Sequence, residues 1–154
     1  MRAPLPTASR SEREAYVKQW AAITISLFAL MLAINGMIGG SNSSRVLSKT
    51  IEANNLWAWY QAKNVRATIL ETAGKPAESQ RADMAEIMAK AKQAEADRDF
   101  AKNRSPWFSY AGMALQLSIV LSSAAILAVM MPLLYASIVV GGIGVTFMAY
   151  AMFL

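Results

Sequence analysis

The 154-residue chain contains no cysteine and no histidine. Without cysteine there is no disulfide framework and no thiol chemistry. Without histidine the usual general base is missing, and so is the commonest metal ligand. Zinc, haem and iron–sulfur sites built on those residues are excluded. Charge is also scarce, at 16% of residues, and two long segments have none. Trp20–Gly40 is uncharged across 21 positions, and Trp107–Leu154 across 48.

What fills those segments is apolar. A spanning helix needs about 20 apolar residues at ~1.5 Å each. The first run supplies one span. A single helix over the second would be roughly 70 Å long, more than twice the hydrocarbon thickness, so that run folds back. A turn at Gly141, Gly142 and Gly144 would leave too little chain to cross again. Pro132 has no backbone N–H and disfavours helix just before it, which places the turn near Met130–Leu134. The first run is longer than a signal-peptide core, and it ends "NGMIGGSNSS" without an A-x-A-like site, so a retained anchor is expected. The expected boundaries are a tail over 1–19, spans over 20–40, 107–131 and 132–154, and an extramembrane segment over 41–106.

That segment reads as a helical hairpin. The polar break "SNSS" follows Gly40, and Ser43 or Ser44 suits the cap of a new helix. In residues 45–73, Leu47, Ile51, Ala58, Ala62, Val65 and Ile69 recur at near-helical intervals. "TAGKPAES" is a stop–turn–start signal, with Gly74 at a helix end and Pro76 in a first turn. Met84, Ile87, Ala91, Ala94 and Ala101 then mark one face of a second helix, interrupted by Arg98. "NRSPWF" restarts the chain as span two, with Ser105 as cap and Pro106 in the first turn. The fold class expected is all-α integral membrane, with three transmembrane helices and a helical hairpin inserted between spans one and two.

The net charge of +5 raises the question of nucleic acid. The 15 basic residues are dispersed among 10 acids with no basic block, so membrane flanks explain them and no nucleic acid is expected. The carboxylates of the hairpin alternate with Lys and Arg, as on a solvated face. "DRD" at 97–99 is the densest group and is read the same way.

"NNLWAWYQAKNVR" at 54–66 is the feature this outline does not absorb. Residues three and four apart on a helix are neighbours. Ala53, Trp57 and Tyr60 therefore share a face, with Leu56 beside it. Trp59 points toward Glu52, Asn55, Lys63 and Arg66, where it suits a cation–π contact. The cluster is read as packing between helices or subunits. Ligand or peptide recognition and headgroup contact are the alternatives. Trp57, Trp59, Tyr60, Lys63 and Arg66 are the candidate interaction residues.

"ANNLWAWYQAKNVRATILE" resembles the hallmark of the bacterial family called domain of unknown function 4337. The resemblance implies an N-terminal span, a charged helical segment and a C-terminal transmembrane hairpin. It implies no established activity. The uncharged "MMPLLY" between the last two spans departs from the basic residues that many members carry there.

"GGIG" follows no strand and lacks dinucleotide-loop spacing, so close helix approach is the better reading. Gly36 and Gly40, Ser137 and Gly141, and Ala114, Ser118 and Ser122 give each span a small-residue stripe for helix packing. Asn35 and Gln116 are intramembrane polar residues, expected to bond between helices. No ionisable group lies in any span, which argues against a pump.

These readings converge on a non-enzymatic bacterial inner-membrane protein without cofactor or metal. It assembles through its spans and hairpin, as a homo-oligomer or as a subunit of a membrane protein complex, in a structural or scaffolding role. An accessory subunit of a larger energy-transducing membrane complex is the alternative, as is a small oligomeric channel lined by Asn35 or Gln116. The lipid bilayer is the implied partner in every case, with the N-terminus cytoplasmic and the hairpin periplasmic.

Overall fold

A computed structural model describes residues 10–154, and it is all-α there. Most of the expected N-terminal tail, residues 1–9, lies outside the described residues. Helix α1 runs Arg10–Thr72, α2 runs Glu78–Ala128 and α3 runs Met131–Phe153. Each is long and apolar enough to cross a membrane.

Two expected helix ends do not exist. Ser43 and Ser44, either of which suits a cap, lie inside α1, and Ser105 and Pro106 lie inside α2. Caps are local preferences, and a helix continues through a serine cluster when its backbone bonds are kept. The polar breaks fall instead at a boundary between compact units. One unit holds residues up to Gly40 together with Arg104–Leu154, and the other holds Ser41–Asn103.

In the first unit, the α1 residues Val17 and Ala21 join Ala125 of α2 and Leu134 of α3 in a buried cluster. Further along, Phe28 lies over Gly141. Asn35 reaches the Phe108 carbonyl at 3.0 Å. Rising numbers on α1 thus meet falling numbers on α2 and rising numbers on α3. The three run up, down and up. Large apolar side chains such as Leu30, Met37, Leu117, Val120 and Val139 remain exposed on the outside.

The α2–α3 turn falls at Val129–Met130, at the edge of the Met130–Leu134 stretch expected from Pro132. Val129 takes a left-handed φ of 52°, Met130 is extended, and its N–H returns to the Ala125 carbonyl at 3.2 Å. Pro132 then sits in the first turn of α3, where its missing N–H costs nothing.

In the second unit, α1 and α2 pair across the turn at 73–77. Gly74 adopts φ 68°, and Lys75 N–H closes on the Leu70 carbonyl at 2.9 Å. That is a glycine-ended C-terminus, in which the left-handed residue carries no Cβ penalty. Met84, Ile87, Ala91, Ala94 and Ala101 are buried, so the α2 stripe packs inward. The α1 stripe does the opposite. Leu47, Ile51, Val65 and Ile69 are all more than half exposed. The inward face of α1 is Ala53 and Ala67 with Trp57 and Tyr60 partly covered. Alanines on both sides, Ala53 and Ala67 on α1 and Ala91, Ala94 and Ala101 on α2, let the backbones approach.

Candidate functional site

The aromatic cluster divides by face. The Trp57 and Tyr60 rings meet edge to face, with centroids 5.6 Å apart. The Trp57 indole N–H donates to Glu95 Oε1 of α2 at 2.9 Å, so its polar edge is satisfied by a charge-assisted bond. Trp59 is 52% exposed. It closes an open groove of about 440 Å³, whose other walls are Ser48, Ile51, Glu52, Asn55 and Leu56.

The basic residues near the cluster do not act alike. Lys63 reaches across to Asp83 of α2 at 2.7 Å. Arg66 is exposed. Other ion pairs tie the same two helices. Lys49 meets Glu52 at 2.7 Å and Asp97 at 3.4 Å, and its pKa is raised chiefly by the Glu52 hydrogen bond. Arg81 donates to both Glu71 oxygens, at 3.0 and 2.9 Å, and to Asn64 Oδ1 at 3.0 Å. The hydrogen bond from Arg81 holds the Glu71 carboxyl below its ordinary range. Arg98 likewise lowers Asp99 by hydrogen bonding. "DRD" is therefore an ion-paired surface. Among the described residues, no three acidic side chains gather as a metal site.

The small residues separate into used and open sets. Ser118 and Ser122 of α2 are buried with Ser137 of α3. Ser118 Oγ donates to the Ser137 carbonyl at 2.7 Å and Ser122 Oγ to Ser137 Oγ at 2.9 Å. Ser137 Oγ in turn donates to the Leu134 carbonyl at 2.7 Å. Each hydroxyl has a place for its proton, as an apolar surrounding requires. Ala114 is partly buried. Gly141 lies beneath the Phe28 ring, and a Cβ at Gly144 would meet Leu115 N at 3.1 Å and Ala111 O at 3.2 Å. Gly36 and Gly40 have open space where a Cβ would go. Gly39 instead makes the close approach on α1, where an added Cβ would meet Phe108 Cβ at 3.3 Å.

The two polar residues of the spans also part. Asn35 is buried, bonded to Phe108 as above, with its Oδ1 left without a partner. Gln116 is exposed. Two features had little sequence signal. Arg104 donates Nε to the Ala151 carbonyl at 2.8 Å and Nη2 to the Met152 carbonyl, covering the C-terminal end of α3. A cation there also suits the negative end of the helix dipole. Trp107 packs edge to face on Tyr150, with centroids 4.7 Å apart, and against Phe147 at 5.8 Å.

The architecture defines a class: an all-α protein with three candidate membrane-spanning helices. Within that class the chain belongs to the family described as domain of unknown function (DUF4337), whose profile matches residues 17–83 and 72–154. No curated protein and no solved structure matches the chain.

Proposed function

We propose that the protein is a non-enzymatic component of the bacterial inner membrane that works by assembling. Its charge-free helical segments span the bilayer, and residues 41–106 form a helical hairpin outside it. One observation carries the reading. Leu47, Ile51, Trp59, Val65 and Ile69 expose large apolar surfaces on a helix whose flanks are charged. Lipid does not account for apolar side chains beyond the spans, whereas a protein surface does. The interior of the same helix pair is mostly alanine, so the pair alone buries little apolar area. The lack of histidine and cysteine, and the pairing of the carboxylates with Lys and Arg, support a role without catalysis.

The test is mass determination in nanodiscs. Two or more copies per particle are expected, and a stable monomer would overturn homo-assembly. The accessory-subunit reading is favoured by the open space beside Gly36 and Gly40, which suits the close approach of a foreign helix. It expects a monomer after purification but a large complex in native membranes. In that case Gly36→Leu and Gly40→Leu release the chain from the complex.

A further inference from the structure

From Ser48 to Thr72 the exposed face of α1 carries a seven-residue repeat. Ser48, Asn55, Ala62 and Ile69 hold one position, and Ile51, Ala58, Val65 and Thr72 the position three residues on. All eight are exposed and none is charged. Alternating steps of three and four are the spacing of a coiled-coil seam. The seam extends over 25 residues, about 37 Å of helix, within the three to four heptads that mark such a structure. The opposite face of the segment is already occupied by α2 through Ala53, Trp57 and Ala67.

We infer that this seam pairs with the same seam of a second copy as a parallel, two-stranded coiled coil. The inference rests on the assembly reading above and adds its surface, direction and register.

In a coiled coil each side chain of the seam enters a hole between four residues of the facing helix. Ser48, Ile51, Glu52 and Asn55 are such a set, and the 440 Å³ groove lies over them. In parallel register the side chain entering it is the second copy's own Ile51. Copies inserted in one membrane share an orientation, so a twofold axis relating them lies along the membrane normal. A twofold axis running along the seam sets the two α1 segments in the same direction. Each seam residue then meets itself.

Asn55 identifies the occupant. An amide buried in the seam between Ile51 and Ala58 needs a partner, and a second Asn55 provides both a donor and an acceptor. A single asparagine at this kind of position sets register and strand number. Antiparallel pairing about the seam's centre would place Asn55 against Val65 and leave the amide unmatched. The flanking charges agree with the parallel arrangement. Glu52 falls beside Leu47 of the other copy, and Arg66 beside Gln61, so no like charges oppose one another. Gln61 offers its carbonyl to the Arg66 guanidinium.

The cysteine-free chain allows a direct test. Single Ala58→Cys and Ala62→Cys variants in native membranes should form disulfide-linked dimers under mild oxidation. Ala96→Cys, exposed on α2 away from the seam, should not. Adding Asn55→Asp to the Ala58→Cys chain sets carboxylate against carboxylate and should cut the dimer about tenfold. Equal cross-linking at Ala96 and Ala58 would overturn the seam. So would linkage between co-expressed Ile51→Cys and Ile69→Cys chains when neither links to itself. Oligomers in nanodiscs without any seam cross-link would remove this inference and leave assembly standing, whereas monomers would remove both.

Discussion

Phe28 of α1 lays its ring against the bare backbone of Gly141 in α3, so closely that an added Cβ would clash with Phe28 Cζ. Phe28 is only 6% exposed, so moving the ring would disturb packed neighbours. Gly141→Ala should therefore destabilise the protein by about 1–3 kcal/mol through overpacking. Phe28→Leu in the same chain should recover part of that loss, read as a coupling in a double-mutant cycle of thermal unfolding in detergent. Gly142→Ala, where nothing lies within 4 Å, should be neutral or slightly stabilising.

Trp57 and Trp59, two residues apart, should respond differently to truncation. Trp57→Ala removes the contact with Tyr60 and leaves Glu95 without its indole donor. Because Trp57 is only partly buried, a loss of about 2–3 kcal/mol is expected, at or below the bottom of the range for core aromatics. Trp57→Phe should keep the ring contact and cost about 1 kcal/mol for the hydrogen bond. Trp59→Ala should leave the melting temperature of a monomeric preparation nearly unchanged. Equal losses at both positions would contradict the division of faces.

The places where sequence and structure part have a common physical cause. "SNSS" and "NRSP" mark a real change in composition, but composition reports the surroundings of a helix rather than its end. The backbone bonds continue through both, and the break appears as a boundary between compact units. Pro132 was legible because a missing N–H and a restricted preceding residue act within a few positions. Gly74 was legible for the same local reason. The orientation of the α1 stripe was not, since periodicity identifies a face without saying what meets it. On α2 the stripe packs inward, and on α1 it lies outside. The role of Arg104 depends on contacts 47 residues away, which no local signal carries.

Acid should weaken the helix pair through Glu71. Its carboxyl is held below the ordinary value of 4.5, first by the hydrogen bond from Arg81 and then, after a smaller opposing effect of desolvation, by its charge. A folded-state pKa below the unfolded one contributes stability above the unfolded value, and that contribution is lost as pH falls through the folded value. Asp99, lowered by Arg98, acts in the same direction. Both groups are exposed, so the effect is small and should be screened by salt. Arg81→Gln should lower the melting temperature near neutral pH and make no difference once Glu71 is protonated in the wild type. A pH-independent difference would mean that Arg81 acts through packing or Asn64 instead.

The basic residues flanking the charge-free runs predict a membrane orientation that labelling can test. Arg10, Arg13 and Lys18 precede the first charge-free run, and Arg45 and Lys49 follow it. Arg98, Lys102 and Arg104 stand before the second run and pull the other way. They end a connecting segment of 66 residues, Ser41–Pro106, just beyond the ~60-residue range in which such charges govern topology. By that rule the first span is expected to decide, which would put the N-terminus in the cytoplasm and the segment from 41 to 106 in the periplasm. Three crossings would then return the uncharged Val129–Met130 turn to the cytoplasmic side. Ser79, exposed in the first turns of α2, is the position at which to read this out. A Ser79→Cys variant in intact cells with a permeable outer membrane should react with an impermeant maleimide before lysis. Labelling that appears only after lysis would reverse the orientation, and would move the exposed α1 face, with any partner it takes, to the cytoplasmic side.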